Sequence, residues 1–354
     1  MAEKKNLNPV WLAILGLFIL GGLFTTFKIA AEGHGILSSN DQLVWTMPIA
    51  TYVFLALMSS GFTQMACFPD VFGLSKYRTL ARRFSFLALS TLLAAFLALS
   101  LELGSMSKMI FFIISPNIQS PIWWMGAIYL VELVFLIGKL LKSSGPSGGP
   151  GILNVFASSV SVLAPLMLGA IFSMVEARPV FFGLFLPVFY LVVSLLSGIA
   201  MANLYTKLIH TDSGDRNLTE TVDTLAKAFE FTLGISVILY GMRFIFKSTT
   251  ILEAFSASGN LIPFVILIAG FVCLKSLGSN SPIPAVLALI GIFGCHLEWM
   301  LDGQIRAIGI YEGSFANATA YWSNIWEWLI VFFSLGVMLL LYTLGEKFLN
   351  LKET

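Results

Sequence analysis

Charged residues are scarce in this chain of 354 residues. They make up 11% of the sequence, against about 25% in a typical soluble domain, while 57% of the residues are hydrophobic. This deficit excludes an ordinary soluble domain. The net charge of +1, with no basic patch interleaved with aromatics, gives no reason to expect a nucleic-acid partner. The composition predicts an integral membrane protein with the lipid bilayer as its surroundings.

Cysteine and histidine are also rare, with three residues of each. The three cysteines lie far apart inside apolar segments, without the CxxC spacing of a zinc or iron–sulfur site. A membrane-bound haem usually needs histidine pairs on facing helices, whereas His34, His210 and His296 are spread over an interface, a loop and a helix. We therefore expect neither haem nor metal in this chain.

Long apolar runs recur along the whole sequence. A membrane-spanning helix needs about 20 such residues. Runs of this kind begin near Pro9, Leu43, Phe84, Ile122, Ile152, Val180, Val222, Leu261, Pro284 and Trp322. The pattern predicts an all-α polytopic membrane protein with about ten transmembrane helices. We expect the first to be retained, because no convincing cleavage site follows it.

The basic residues are unevenly distributed over the alternate helix ends. Only six of the 20 lysines and arginines lie at one set of ends, namely Lys28, Lys108, Arg178, Arg243, Lys247 and Arg306. The positive-inside rule then predicts that the N and C termini are both cytoplasmic. The segment Phe68–Arg83 is expected to form an amphipathic turn or short helix on that side.

A Gly/Pro/Ser-rich stretch, residues 143–151, is typical of a flexible linker. It lacks the Gly-Lys-Ser/Thr ending of a phosphate-binding loop. The linker divides the chain into a predicted first bundle of four helices over residues 1–142 and a second bundle of six over residues 152–354.

Polar and aromatic side chains gather at the outer ends of the first four predicted helices. They are Glu32, His34, Asp41, Glu102, Lys108, Ser120, Trp123 and Trp124. Hydrogen-bond partners, aromatic walls and a titratable group are what a quinone pocket requires. An aromatic belt with interface charges would have the same composition. On the residues alone, both interpretations stay open.

Ionisable residues inside the apolar runs need a separate explanation, because burying them in a membrane is costly. Glu132 falls midway along the fourth predicted helix, and two roles stay open for it: a proton relay and a structural hydrogen bond to another helix. Glu230 is expected to pair with Lys227, one turn away.

A second polar group lies at the outer end of the ninth predicted helix. It comprises His296, Glu298, Asp302, Gln304 and Arg306, and Glu327 enters the tenth helix from the same side.

Several short motifs resemble those of the NrfD/PsrC family of quinol-reactive membrane subunits. They are Leu101-Glu102-Leu103-Gly104, Ser120-Pro121-Ile122-Trp123-Trp124, and Arg178-Pro179 with the following GLFLPVFYLVVSLLSGIAM. Gly303-Gln304 and Trp326-Glu327 resemble the ending of the ten-helix branch that includes HybB, HmcC and DsrP. Ser105-Met106 replaces the usual Arg-Pro after the acidic residue.

The resemblance implies a subunit of a respiratory complex in the inner (cytoplasmic) membrane. Such a subunit exchanges electrons with menaquinone or ubiquinone and acts only within a multi-subunit oxidoreductase. Its expected partners are an iron–sulfur, ferredoxin-like subunit on the outer face and, beyond it, a molybdoenzyme, hydrogenase or multihaem cytochrome.

The resemblance also implies roles for individual residues. Glu102 would accept or relay a quinol proton, and Glu132 would extend that path into the membrane, with proton translocation as a hypothesis. His34 would be the hydrogen-bond partner of the quinone, surrounded by Glu32, Asp41, Lys108, Ser120, Trp123 and Trp124. The rival interpretation is a secondary transporter that uses Glu102, Glu132 and Glu298 as coupling residues.

Overall fold

A computed structural model describes residues 8–41, 43–74, 78–104, 109–141, 151–178, 180–209, 216–247, 261–278, 281–305, 321–349 and 351. Within these ranges the chain forms helices and no strand. The long helices are α1 (Pro9–Glu32), α2 (Met47–Val71), α3 (Arg78–Glu102), α4 (Pro121–Leu141), α5 (Ile152–Ser173), α6 (Phe185–Ile209), α7 (Arg216–Lys247), α8 (Ile262–Leu277), α9 (Ile283–Ile305) and α10 (Ile325–Phe348). A 3₁₀ turn over His34–Ile36 and a short helix over Phe111–Ile114 lie between them.

Nine of these described helices are long and apolar enough to cross a membrane. The remaining one, α8, is apolar but has 16 residues and therefore a length of about 24 Å. The prediction of an all-α polytopic membrane protein with about ten helices is confirmed. Which side of the membrane the termini face stays a prediction.

Helix α2 lies at the centre of the molecule and α1 at its edge. In the apolar window of α2, 94% of the residues are buried, against 17% in α1. Helix α2 packs against α3, α5, α6, α9 and α10, whereas α1 packs mainly against α10. A Cβ atom on Gly61 would lie 2.0 Å from the Ser194 carbonyl oxygen, so the close contact of α2 with α6 depends on a small residue there.

The contacts of α2 with α5 and α6 join helices from the two predicted bundles. The division of the chain into residues 1–142 and 152–354 stays a prediction. Residues 143–150 of the predicted linker lie outside the described ranges.

Two local expectations were wrong. In the segment Phe68–Arg83, predicted as one turn or short helix, residues 68–71 end α2 and residues 78–83 begin α3, because the helical backbone continues past the point where the sequence stops being apolar. Residues 75–77 lie outside the described ranges. Glu230 pairs with Lys275 of α8 rather than with Lys227. Helices α7 and α8 pack against each other, so Glu230 has a partner on a neighbouring helix. The residue spacing along α7 alone could not have predicted this partner.

The end of the bundle where α1 and α3 end and where α2, α4 and α10 begin is called the His34 end below. At this end, hydrogen bonds join the segment between α1 and α2 to the end of α9 and to the segment before α10. Gln304, near the end of α9, binds both backbone groups of Trp45 at 2.8 Å. The Asn324 side chain donates to the Ile36 carbonyl oxygen at 2.6 Å. These contacts fix the connection between α1 and α2.

Candidate functional site

A cavity of about 380 Å³ lies at the His34 end between α1 and α3. Its walls are apolar apart from Thr26, His34 and Ser100. The Thr26 and Ser100 hydroxyls donate to carbonyl oxygens of their own helices, at 2.9 and 2.8 Å. His34 is therefore the titratable group among the described lining residues.

The end of α1 places His34 against α3. Gly33 has φ +80°, a left-handed conformation that favours glycine, and its N–H donates to the Ile29 carbonyl oxygen at 2.9 Å. The chain then turns, and His34 Nε2 lies 3.1 Å from the Leu101 carbonyl oxygen. Because a carbonyl only accepts, Nε2 carries the proton in this contact. In the neutral imidazole, Nδ1 is then the ring nitrogen with acceptor character.

Glu102 is the last residue of α3. Its Oε2 atom is buried and makes no hydrogen bond to the part of the chain that the structure describes. Leu101 and Leu103 line the cavity, but the Glu102 side chain does not. The structure thus places Glu102 next to the cavity along the chain, without making it part of the wall. Helix α10, which packs against α3, carries a second acidic residue, Glu327, in its first turn.

Glu327 is fully buried and links three segments. Its carboxyl group accepts hydrogen bonds from the Ser38 N–H at 3.3 Å, the Tyr321 hydroxyl at 2.8 Å and the Asn324 N–H at 3.2 Å. The Asn324 side chain in turn accepts from the Glu327 N–H at 3.0 Å, which completes a capping box. The connection that carries His34 is therefore anchored to the start of α10.

Tyr321 strengthens this anchor. Its hydroxyl oxygen accepts from the Met47 N–H at 3.2 Å while its O–H donates to Glu327. Burial, followed by the negative charge of Glu327, raises the pKa of the Tyr321 phenol. The hydroxyl therefore remains a donor over the physiological pH range.

The other polar residues predicted for the first two helix ends do not line the cavity. Glu32 is exposed and pairs with Lys28 one turn earlier on α1. Asp41 is exposed on the connection between α1 and α2. Lys108 lies outside the described residues.

The residues predicted at the start of α4 form a separate aromatic cluster. The indole N–H of Trp123 donates to the Phe112 carbonyl oxygen at 2.9 Å, and that of Trp124 donates to the Ile118 carbonyl oxygen at 2.8 Å. The Ser120 hydroxyl oxygen accepts a hydrogen bond from the backbone N–H of Trp123 at 3.4 Å. These contacts fold the connection between α3 and α4, and none of the three predicted residues lines the cavity.

Glu132 lies fully buried between α4 and α2. The Ser60 hydroxyl donates to its Oε2 atom at 3.0 Å. Among the described residues, Oε1 has no hydrogen-bond partner, and neither has the hydroxyl of Tyr129, one turn away. The Ser60 contact is the expected structural hydrogen bond to another helix, and it leaves one carboxyl oxygen unused.

The polar group near the end of α9 is an ion-paired cluster. The Arg243 guanidinium from α7 binds Glu298 and, at 2.8 Å, Asp302. Tyr240 also donates to Glu298, and the Arg243 guanidinium carbon lies 4.6 Å from the centre of the Trp299 ring. Glu298 therefore has a fixed cationic partner. Arg306 lies outside the described residues.

Sequence patterns did not predict that Glu327 and Tyr321 contact the connection between α1 and α2 and the start of α2. The capping-box spacing of Asn324 and Glu327 before an apolar run was a usable signal for a helix start. No local signal pointed to Ser38, because its contact with Glu327 depends on how α10 packs against α1 and α2.

Comparison with known proteins agrees with the motifs. The family model described as polysulphide reductase, NrfD, matches residues 35–290, whereas a search of curated proteins finds no match. Proteins of this family are membrane subunits of quinol-linked oxidoreductases and generally partner with iron–sulfur and molybdoenzyme subunits. Because the match covers more than half of its 354 residues, this multi-pass membrane protein belongs to the NrfD family.

Proposed function

We propose that the chain is the quinone-reactive membrane subunit of a respiratory oxidoreductase complex. It exchanges electrons between membrane quinone or quinol and an iron–sulfur, ferredoxin-like partner subunit. The observation that carries this proposal is the cavity of about 380 Å³ with His34 in its wall. Small-molecule sites are typically apolar cavities of about 300–1,000 Å³ with a few convergent polar groups.

The chemistry of His34 suits a quinol. Oxidation of a quinol releases two electrons and two protons, and a base within hydrogen-bond reach of the ring hydroxyl favours that release. With Nε2–H held by the Leu101 carbonyl oxygen, Nδ1 is the atom that can accept a proton. Because α1 is largely exposed at the edge of the bundle, a lipid-soluble substrate can reach the cavity from the bilayer.

The proposal also covers the membrane side of the site, its substrate and its partner subunits. We place the His34 end on the outer side of the inner membrane, with menaquinone or ubiquinone as the substrate and the iron–sulfur subunit docked over this end. A molybdoenzyme, hydrogenase or multihaem cytochrome then receives or supplies the electrons. The unused oxygen of buried Glu132 supports a proton path deeper in the membrane.

The test measures quinone binding in the purified complex. His34→Ala should deplete the extractable quinone and lower the rate of quinol oxidation by about 100-fold or more, the usual contribution of a general base. Glu32→Gln is the matched control, because Glu32 lies two residues away but outside the cavity wall, and it should change neither quantity.

Two results would contradict the proposal. One is a His34→Ala complex that keeps its quinone and its rate. The other is uptake of a solute into liposomes by this chain alone, with no quinone bound, which would favour the secondary transporter.

A further inference from the structure

We infer that the segment between α3 and α4 lies inside the bilayer, in the leaflet at the His34 end, with lipid acyl chains covering its apolar side chains. The described part of this segment, residues 109–120, is called the α3–α4 connection below. It contains the short helix over Phe111–Ile114. The inference goes beyond the proposed function, because it concerns what covers this surface and does not depend on quinone binding.

The α3–α4 connection directs large apolar side chains away from the protein. Between 54% and 67% of the surface of five such residues is exposed, namely Ile110, Phe111, Ile113, Ile114 and Ile118. The sequence contains no charged residue from Met109 to Trp124. Contact of so many neighbouring apolar side chains with water is unfavourable. A surface of this composition is suited to lipid.

Phe112 fixes the orientation of the short helix. Its ring stacks on that of Trp123, with the two ring centres 5.9 Å apart. A Cβ atom on Gly126 of α4 would lie 2.5 Å from the Phe112 ring, so the ring packs where α4 has no side chain. With Phe112 held against α4, the exposed side chains of Phe111 and Ile113 lie on the other side of the short helix.

Backbone groups of the α3–α4 connection form hydrogen bonds within it and with the start of α4. The indole N–H groups of Trp123 and Trp124 donate to the carbonyl oxygens of Phe112 and Ile118. Backbone N–H groups donate to carbonyl oxygens at 2.9 Å in two further pairs, Ser115 to Phe111 and Ser120 to Asn117. In a membrane, a backbone group without such a partner is costly, and tryptophan is enriched at the membrane interface. Internal bonds of this kind therefore suit a segment that is partly withdrawn from water.

The apolar surface continues along α4. Helix α4 lies at the edge of the bundle, since 17% of the residues in its apolar window are buried. Its exposed apolar side chains include Ile122, Val131 and Val134. In a helix that crosses the membrane at the edge of a bundle, such side chains face lipid. The exposed residues of the α3–α4 connection therefore adjoin a surface that lipid covers.

Other connections at the same end have a different character. The connection between α1 and α2 exposes Asn40 and Asp41, and the connection between α5 and α6 exposes Glu176. Exposed carboxylates need water or a polar partner, because a charge in the membrane is costly. The three connections thus differ in what can cover them, and Asp41 provides a control for the α3–α4 connection.

Spin labels on introduced cysteines test the inference in the purified complex, reconstituted into phosphatidylcholine vesicles. Ile114→Cys places a label on the short helix, Val134→Cys places one on the lipid-facing side of α4, and Asp41→Cys places one on the aqueous side. The unsubstituted chain, labelled in the same way, gives the background from its three cysteines. Electron paramagnetic resonance then measures how strongly each label is relaxed by oxygen, which concentrates in the bilayer, and by a water-soluble nickel chelate.

Oxygen should relax the label at Ile114 more strongly than the nickel chelate does, as at Val134, and the order should be reversed at Asp41. Ile118→Cys serves as a second position on the α3–α4 connection if the Ile114→Cys complex does not assemble, and it should give the same order as Val134.

Two results overturn the inference. Stronger relaxation by the nickel chelate at Ile114 would place the α3–α4 connection in water. Protection of this label from both reagents would show that another protein covers it. Neither result bears on the binding of quinone beside His34, so the inference and the proposed function can fail separately.

Discussion

Two buried clusters that contain acidic residues, both in the described part of the chain, are stabilised in different ways. Between α7 and α9, Glu298 and Asp302 share the Arg243 guanidinium. Between α3 and α10, Glu327 has three neutral donors, and Glu102 has a buried oxygen without a hydrogen-bond partner among the described residues. The first cluster joins two helices through a cation, whereas the second joins α10 to the connection between α1 and α2 through neutral hydrogen-bond donors. Four substitutions test this comparison, from the largest expected effect to the smallest.

Removal of the shared cation should have the largest effect. Arg243→Leu leaves two buried carboxyl groups without their partner, and we expect the free energy of unfolding to fall by about 3–5 kcal/mol. Thermal unfolding of the purified complex measures the loss. Lys275→Met, which breaks the exposed pair with Glu230, is the control and should cost about 1 kcal/mol or less. Equal losses of unfolding free energy in the two variants would mean that the buried cluster stabilises the protein no more than an exposed ion pair does.

Removal of the acceptor in the other cluster should cost less. Glu327→Ala leaves the donors of Ser38, Tyr321 and Asn324 unsatisfied, which predicts a loss of about 1–3 kcal/mol. The unfolding temperature of the complex measures it, with Glu32→Ala as the control on exposed α1. A loss as large as that of Arg243→Leu would contradict the view that neutral donors, and no buried cation, hold this carboxylate.

The cap of α10 should contribute less again. Asn324→Ala removes the side chain that accepts from the Glu327 N–H, and the expected cost is about 1 kcal/mol. Asn324→Ser keeps a capping oxygen and should recover most of that stability in the same unfolding assay. If Asn324→Ser is no more stable than Asn324→Ala, then Asn324 stabilises the protein through its hydrogen bond to Ile36 and not through the cap.

The exposed pair on α1 should have the smallest effect. Lys28→Met removes the partner of Glu32. The Lys28 side chain is partly buried and that of Glu32 is exposed, so solvent screens the pair and the expected change is between 0 and about 1 kcal/mol. Quinol oxidation should also be unchanged. A strong loss of quinol oxidation would show that this pair takes part in the site.

The fold was largely predictable because apolar length is a direct signal of a membrane-spanning helix. The helix boundaries were predicted less accurately than the helices themselves. The third helix was expected near Phe84 but begins at Arg78, because a helix can continue into the basic residues at the membrane surface.

The site was only partly predictable. His34 was one of several polar residues at the predicted outer helix ends, its role as the quinone's hydrogen-bond partner was implied by the family resemblance, and the structure places it in the cavity wall. The predicted quinone contacts of Trp123 and Trp124 stay untested, but their indole N–H groups bind backbone carbonyls of their own connection. The contact of Glu327 with Ser38 depends on the packing of α10 against α1 and α2, which no spacing in the sequence specifies.

The central claim is that quinone binds in the cavity beside His34. The most direct test measures quinol oxidation after the cavity has been filled by a larger side chain. Ala30 and its neighbour Ala31 are both exposed, but Ala30 lines the cavity and Ala31 does not. Quinol oxidation should be lost in an Ala30→Trp complex of normal unfolding temperature and retained in Ala31→Trp. An Ala30→Trp complex that binds quinone and oxidises quinol as the wild type does would show that the substrate binds elsewhere.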